Sequence, residues 1–391
     1  MIVGALAVIA AGAGCGGGDG RIGGATEPPP VTPVTPVTPT PPAVRLVVAG
    51  RLERGLPIAV AAFSGTDSVP GAQLRLSVDT AAATAAADGT VTPRRAGALT
   101  ITATLADGRT ATTVQTIAAP PLVALDLIVD GNRDVYTVSL DGGDLTRLTT
   151  DLADDVSPSV GAGTVAFTSY RTGGGDIYRM PLAGGTARRL TATADADGSP
   201  SLSADGSRLA FIRPVRGVDR VWVADSAGAD VQRLTTDVPA NNGAPEASPA
   251  WGSGGSGAQL AFTSTAGGQV DIDVAATTAL PVAPARLPAS ALGAVDVEAA
   301  WSADGARLVF VSTRDGPAAL YVADAGASTA TRVTAAGVSV SQPTWLADGR
   351  IVFVTRRANV AVLVWLDPAA PTVLHDVPLT GQSPAHPAAV R

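Results

Sequence analysis

The chain has 391 residues, a formal net charge of −7 at pH 7 and 46 % hydrophobic residues, although only 4 % are aromatic. All 27 basic residues are arginines, so mechanisms that require a lysine, such as Schiff-base chemistry or a P-loop, are excluded. An acidic chain without a basic stripe also argues against nucleic acid binding, which requires clustered positive charge. Its length predicts more than one domain.

The first predicted element is a short apolar segment, residues 1–15, which ends in small residues before Cys15, the single cysteine of the chain. An apolar run of about 14 residues is too short to span a bilayer and is typical of a signal peptide. The segment resembles a bacterial lipoprotein signal, and this resemblance implies that Cys15 is lipidated after cleavage. The alternative is an ordinary signal peptide with an incidental cysteine.

Residues 16–42 form a predicted linker, which is rich in glycine and then in proline. It contains three consecutive Val-Thr-Pro triplets at positions 31–39. Proline-rich sequence favours extended polyproline II, whereas glycine-rich sequence is flexible. The linker therefore predicts either a spacer of defined reach or a disordered tether.

Residues 43–119 show short runs in which apolar residues alternate with small or polar ones. The runs are separated by glycine and Asp-Gly turns, a pattern that predicts a β-sandwich. Within it, residues 87–103 resemble the C-terminal half of bacterial Ig-like domains. The resemblance implies a spacer or an adhesive unit.

Residues 120–391 contain one pattern six times, with a period of about 44 residues. Its landmarks are an aromatic position (Tyr136, Tyr178, Trp222, Asp273, Tyr321, Trp365), a closing triplet such as Arg147-Leu148-Thr149, and a preceding pair such as Ser157-Pro158. The last closing landmark is read as Val373-Leu374. Four short strands per unit of this size predict a six-bladed β-propeller. The first copy lacks the preceding pair and the final pair, Ser383-Pro384, has no copy after it, so the C-terminus is predicted to complete the first blade and close the ring.

The copies resemble the TolB-like, WD-repeat-like β-propeller repeat. The resemblance is clearest at Ala299-Ala300-Trp301-Ser302-Ala303-Asp304-Gly305 and at Pro343-Thr344-Trp345-Leu346-Ala347-Asp348-Gly349. It implies that the Pro-x-Trp strand is innermost, so Trp251, Trp301 and Trp345 are candidate channel or binding-face residues. His386 is aligned with the same tryptophan position and is the fourth candidate. The alternative for His386 is drift of the repeat where the ring closes.

A search for catalytic and metal-binding residues gives little, because the chain has two histidines and one cysteine. Nucleophilic catalysis and zinc sites are therefore disfavoured. Calcium needs only oxygen ligands, but the acidic runs at 151–155 and 195–198 match turns and no calcium motif. The segment Gly252–Gly257 fits a Gly-x-Gly-x-x-Gly template but precedes no helix, so it is predicted to be a loop. We therefore predict no catalytic residue, cofactor or metal ligand.

These observations predict an all-β, non-enzymatic binding protein of the cell envelope. It is expected to be attached to the membrane by a lipid on Cys15, facing the periplasm or the exterior. Its resemblance to TolB-like propellers implies an envelope protein or peptide as the partner. The alternatives are a propeller glycan lyase or hydrolase acting near His386, and a carbohydrate-binding module without turnover.

Overall fold

The computed structural model describes residues 40–236, 244–252, 259–379 and 381–390. The predictions for Cys15, for residues 16–39 of the linker and for most of the glycine-rich loop lie outside these residues. The described residues form strands, with two short 3-10 helices at Gly71–Gln73 and Ala266–Gly268, and the all-β class is confirmed. No helix within the described ranges is both long enough and apolar enough to cross a membrane.

Two antiparallel sheets follow the linker, and together they are called the two-sheet module. Their strands are β1 Val44–Ala49, β2 Ile58–Ser64, β3 Asp67–Ser68, β4 Leu74–Val78, β5 Ala83–Ala85, β6 Thr90–Pro93, β7 Gly97–Leu105 and β8 Thr110–Ile117. One sheet has the order β1-β2-β6-β5 with β3 on β2, and the other has the order β4-β7-β8. Ile58 and Val91 from the first sheet pack with Leu99 and Ile101 from the second. The relationship of this module to Ig-like domains stays a prediction.

Six four-stranded antiparallel sheets follow, and these are the blades of the propeller. Blade 1 contains β9 Leu122–Val129, β10 Asn132–Ser139 and β11 Thr146–Arg147. Blade 2 contains β12 Asp155–Gly161, β13 Thr164–Ser169, β14 Asp176–Pro181 and β15 Arg188–Arg189. Blade 3 contains β16 Gly198–Leu202, β17 Arg208–Val215, β18 Val218–Asp225 and β19 Gln232–Arg233.

The remaining blades repeat this order. Blade 4 contains β20 Glu246–Trp251, β21 Gln259–Ser264, β22 Asp271–Ala276 and β23 Ala285–Arg286. Blade 5 contains β24 Asp296–Trp301, β25 Arg307–Ser312, β26 Ala319–Asp324 and β27 Thr331–Arg332. Blade 6 contains β28 Ser341–Trp345, β29 Ile351–Arg357, β30 Val360–Leu366 and β31 Leu374–Asp376.

The final strand, β32 Ser383–Ala389, is the inner strand of blade 1. It pairs with β9, so that Ser383 lies opposite Ile128 and Ala389 lies opposite Val123. The two ends of the repeat region therefore share one sheet, as the offset between the first and last copies predicted. Closing the ring in this way removes the exposed strand edges that an open array would leave.

The core lies between neighbouring blades because each sheet has apolar residues on both faces. Phe167, Phe211, Phe262, Phe310 and Phe353 occupy one equivalent position, and all are fully buried. Burying each ring stabilises the fold by about 1.5–3 kcal/mol. One cluster joins Ala261 of blade 4 to Trp301 of blade 5, which shows how the blades are held to one another.

The register of the last copy differs from the sequence prediction. Val364, and not Trp365, lies opposite Phe353, in the way that Tyr321 lies opposite Phe310. The closing position is Val377 and not Leu374, because the Val377 N–H donates to the carbonyl of Leu363. The inner-strand pair is His386-Pro387 and not Ser383-Pro384. The prediction followed residue types, whereas backbone hydrogen bonds determine the register.

Two ion pairs, one buried and one half-buried, join the two-sheet module to blades 6 and 1. Both terminal guanidinium nitrogens of the fully buried Arg350, Nη1 and Nη2, donate to Glu53, at 3.0 and 2.7 Å. Arg54 forms a second ion pair with Asp141 at 2.6 Å. Asp141 follows β10, and Arg350 precedes β29, so both partners lie at the end of the blades where the inner strands finish. The opposite face of the propeller, where the inner strands begin, is called the open face.

Candidate functional site

The inner strands of the six blades surround a cavity of about 230 Å³, called the channel cavity. Each blade contributes two consecutive residues from the same position of the repeat, and the second of them is a proline in five blades. The pairs are Ser157-Pro158, Ser199-Pro200, Ser248-Pro249, Glu298-Ala299, Gln342-Pro343 and His386-Pro387. Because one position recurs around a ring, any difference between the six residues breaks the symmetry of the site.

A β-bulge in each inner strand creates this lining. The register of every inner strand shifts at the cavity pair. The first residue of each pair has a positive φ, between 47° and 55°, which is unfavourable for residues other than glycine. The bulge turns its N–H toward the preceding blade, where the N–H of Ser157 donates to Asp126 at 3.1 Å and that of Ser199 donates to Thr168 at 3.1 Å. These bonds connect an inner strand to the second strand of the preceding blade.

One half of the ring carries small serines, and the other half carries Glu298, Gln342 and His386. In this second half, the Gln342 N–H donates to Glu298 Oε2 at 2.6 Å, and the His386 N–H donates to Gln342 Oε1 at 2.9 Å. The His386 ring then pairs through Nδ1 with Oδ1 of Asp126, at 2.8 Å. A continuous chain of hydrogen bonds therefore runs along half of the cavity wall, from Glu298 to Asp126.

Asp126 orients the imidazole of His386. Its carboxylate is fully buried and also contacts the guanidinium of Arg133, which balances its charge. A carboxylate only accepts hydrogen bonds, so Nδ1 of His386 must carry a proton. In the neutral ring, Nε2 then has a free lone pair. The His386 side chain is 41 % exposed in this cavity-lining position, and Nε2 has no hydrogen-bond partner among the described residues.

The three candidate tryptophans do not line the channel cavity. Trp251, Trp301 and Trp345 are only 3, 2 and 0 % exposed, and each packs in a cluster between blades. Trp251 also donates its indole N–H to the carbonyl of Ser201 in the neighbouring blade, at 3.0 Å. The expectation of binding-face tryptophans was wrong because the bulge directs the preceding pair, and not the tryptophan, toward the channel.

His386 does line the cavity, but for a different reason from the one predicted. It occupies the bulge position equivalent to Ser157, whereas Ala389 occupies the tryptophan position. Sequence reasoning missed Glu298 and Gln342 as lining residues. Their signal was present, because the recurring pairs before each copy mark the bulge, but a pair pattern alone does not show which way the side chains point.

Most of the recurring charged residues stabilise the blades and do not form a site. Asp176 pairs with Arg189 at 2.7 Å, Asp155 pairs with Arg171 just after the second strand of blade 2, and Asp197 pairs with Arg213 within the second strand of blade 3. The closing threonine of three blades accepts the N–H of a central strand, as Thr191 does from Ile177 at 3.0 Å. Within the described ranges, no group of three or more His, Cys, Asp or Glu residues is arranged to hold a metal ion.

Blade 4 departs from the repeat at Asp273, which replaces the aromatic residue opposite Phe262. Its side chain is buried, and burial raises the pKa of the carboxyl, while a hydrogen bond with Ser264 opposes this effect. Asp273 does not line the channel cavity. Its irregularity is therefore a local feature of the blade core.

Blade 6 departs from the repeat at Pro378, which occupies the position of the closing threonine. The carbonyl of Leu363 accepts a hydrogen bond from the N–H of Val377, as the carbonyl of Leu320 does from the N–H of Val333 in blade 5. In blade 5 a threonine hydroxyl also accepts the N–H of Leu320, whereas Pro378 offers no hydroxyl to the N–H of Leu363. Beside it lies a groove of about 510 Å³ whose apolar lining includes Ile128, Val360 and Leu379.

Six four-stranded sheets in a closed ring define a six-bladed β-propeller, here with an additional two-sheet module. The chain belongs to the TolB β-propeller domain family, whose profile matches residues 121–250 and 199–375. These overlapping matches cover most of the propeller and confirm the resemblance seen in the repeats.

Solved structures give the same fold at low identity. TolB from Acinetobacter baumannii is 16 % identical, with a TM-score of 0.60, covering 82 % of this chain and 85 % of that one. A putative TolB from Agrobacterium tumefaciens is 15 % identical, with a TM-score of 0.52, covering 66 % of this chain and 88 % of that one. Hydrazine synthase from Kuenenia stuttgartiensis is 14 % identical, with a TM-score of 0.55, covering 69 % of this chain and 46 % of that one. A comparison with curated proteins finds no match.

Proposed function

We propose that this chain is a non-enzymatic binding protein of the cell envelope, and that the open face of its propeller binds a protein or peptide partner. The observation that carries the proposal is the channel cavity, which collects polar groups from six blades on the face opposite the two-sheet module. Concave sites with a few convergent polar groups are typical of ligand binding. Membership in the TolB domain family supports both the envelope location and a protein partner.

The composition of the cavity favours binding over catalysis. An oriented histidine can act as a general base, but acyl transfer also needs a nucleophile within hydrogen-bond reach of Nε2. Among the described residues, no hydroxyl or thiol bonds to Nε2 of His386. The site therefore has an acceptor without the nucleophile that covalent catalysis requires.

A direct test is affinity purification from envelope fractions. The wild-type chain is expected to capture a protein that the Ser199→Tyr variant does not capture, because the larger side chain narrows the cavity rim. The matched control is Val114→Tyr, at an exposed position of β8 in the two-sheet module, which should capture the same protein. Failure of the wild-type chain to enrich any protein above background would overturn the proposal.

A glycan lyase or hydrolase is the second candidate, and the observation that favours it is the oriented His386 in the same cavity as the Glu298 carboxylate, with Gln342 between them. The cavity volume of about 230 Å³ lies below the usual range for ligand pockets, which argues for a small group in place of a polysaccharide chain. The lyase reading predicts turnover of a polysaccharide that His386→Ala abolishes. A polysaccharide panel without turnover would exclude it. A glycan-binding module without turnover would instead show binding on a glycan array.

We also propose a domain order with a signal peptide at 1–15, a linker at 16–42, an Ig-like module at 43–119 and the propeller at 120–391. In this order a lipid on Cys15 attaches the chain to the membrane and the linker carries the folded part away from it. The Glu53–Arg350 contact supports a spacer role for the module, because it holds the module against the propeller. Cys15→Ala is expected to release the protein into the soluble fraction. Unchanged membrane association would refute lipidation.

A further inference from the structure

Half of the channel cavity is rich in hydrogen-bond acceptors and carries a net negative charge. Glu298 uses Oε2 to accept the Gln342 N–H, which leaves Oε1 without a partner in the described part of the chain. The second acceptor is Nε2 of His386, which has a lone pair when the ring is neutral. Asp126 is balanced by Arg133, so the carboxylate of Glu298 provides the unbalanced charge.

The facing half of the ring leaves room for a ligand. Ser157, Ser199 and Ser248 are much shorter than the residues across the cavity, and their hydroxyls can also accept hydrogen bonds. A volume of about 230 Å³ corresponds to about eight water molecules, which is enough for the end of one side chain. The cavity therefore fits a small group that donates several hydrogen bonds and carries a positive charge.

We propose that the channel cavity binds an organic cation, an ammonium or guanidinium group such as the end of a lysine or arginine side chain of the partner. Glu298 supplies the charge, Nε2 of His386 accepts a hydrogen bond, and Asp126 acts as a positioning residue that keeps the lone pair on Nε2. The inference rests on the proposed function because it names the chemistry by which the open face recognises its partner. A metal ion is disfavoured, since no group of three ligating side chains is found among the described residues.

The hydrogen-bond chain offers variants that change charge and keep the geometry. Glu298→Gln retains an oxygen that accepts the Gln342 N–H and removes the charge. Gln342→Glu retains the acceptor for the His386 N–H and adds a charge in the neighbouring blade. The double variant Glu298→Gln/Gln342→Glu moves the charge by one blade at constant total charge. These substitutions separate a charge effect from a loss of folding.

The test is an NMR titration of the full-length protein with n-butylammonium chloride or methylguanidinium chloride. The chain has only two histidines, so the imidazole C–H signals of His386 and His375 are readily assigned. A saturable shift of the His386 signal is expected, with the His375 signal unchanged. Because a hydrogen bond to a charged group is worth more than a neutral one, Glu298→Gln should weaken binding about tenfold or more, while Gln342→Glu should strengthen it.

Sodium butyrate and calcium chloride at matched ionic strength are the controls. The proposal is overturned if His386 shows no saturable shift up to about 100 mM cation, a range that detects even millimolar affinity. It is also overturned if butyrate or Ca²⁺ produces the saturable response and the organic cations do not. Comparing the two cations shows whether an ammonium or a guanidinium group fits better.

The same variants separate this inference from the proposed function. If Glu298→Gln still captures the envelope partner with unchanged affinity, cation recognition is wrong and the binding function stands. If the organic cations bind and no envelope protein is captured, the cavity is a site for a free organic cation and the proposed protein partner is wrong.

Discussion

The buried Glu53–Arg350 ion pair is one of several ion pairs between the two-sheet module and the propeller. Arg350 is fully buried and donates two hydrogen bonds to Glu53, which is itself only 5 % exposed. Replacing Glu53 with alanine leaves Arg350 with Asp348 as its remaining carboxylate partner. Removing one member of a buried pair costs about 3–5 kcal/mol when the other charge is left without compensation, and because Asp348 still pairs with Arg350 we expect a cost at the lower end of this range.

Removing both charges should cost much less than removing one. The guanidinium of Arg350 lies over the ring of Trp365 at 4.7 Å, and a methionine side chain can preserve part of that packing. We therefore expect Glu53→Ala and Arg350→Met to be strongly destabilising as single changes, and the double variant to recover at least about 2 kcal/mol relative to their sum.

The assay is guanidinium chloride denaturation followed by tryptophan fluorescence, with the four proteins of the double-mutant cycle measured in parallel. Arg94→Ala is a matched control, because Arg94 is an exposed arginine of the two-sheet module whose side chain, among the described residues, donates a hydrogen bond only to the carbonyl of Thr80. The reasoning is refuted if Glu53→Ala lowers the unfolding free energy no more than the control does. It is also refuted if the two single effects simply add.

Three further predictions concern individual blades. Thr191→Val should lower the unfolding free energy by about 1 kcal/mol because the Ile177 N–H loses its acceptor, whereas Thr193→Val, at an exposed position, should have no effect in the same melt. Burial raises the pKa of the Asp273 carboxyl, so the folded state holds this proton more tightly than the unfolded state, and the wild-type protein should lose stability as pH rises above the usual Asp range. The Asp273→Asn variant should be more stable than the wild type at pH 7 and should not show this loss. An Asp273→Asn variant that is less stable at pH 7 would contradict the prediction. Burial and the nearby Arg350 lower the pKa of His375, so the folded state favours the neutral ring, and the stability of the protein should fall as pH drops below the usual histidine value of 6.5. The His375→Phe variant should not show this pH dependence. Equal pH profiles of melting temperature for the wild type and the variant would show that the dependence does not arise from His375.

The architecture could be predicted from the sequence because it depends on repetition. A period of about 44 residues fixes the number of blades, and the offset between the ends fixes the pairing of β32 with β9. Each blade also carries its own turn and strand signals, so six weak patterns support one another. The register of blade 6 was mistaken because Trp365 and Leu374 match the pattern in residue type but not in backbone pairing.

The channel cavity could be predicted only in part. The recurring pairs were visible, but their positive φ and the bulge that turns them inward are properties of the backbone. Asp126 and His386 are 260 residues apart in sequence, and their contact exists only because the ring closes. A single sequence shows no signal that connects them. The tryptophans were chosen instead because large aromatic residues are common in both binding sites and cores, and here they belong to the core.

The central claim is that the open face binds a partner at the channel cavity. Its most direct measurement is photo-crosslinking in intact envelopes, with a photoreactive amino acid at Ser199 on the cavity rim and, separately, at the exposed Val114 of the two-sheet module. The account predicts a discrete covalent adduct with one protein from position 199, reduced in the Glu298→Gln background, and no such adduct from position 114. No adduct from position 199, or the same adducts from both positions, would contradict it.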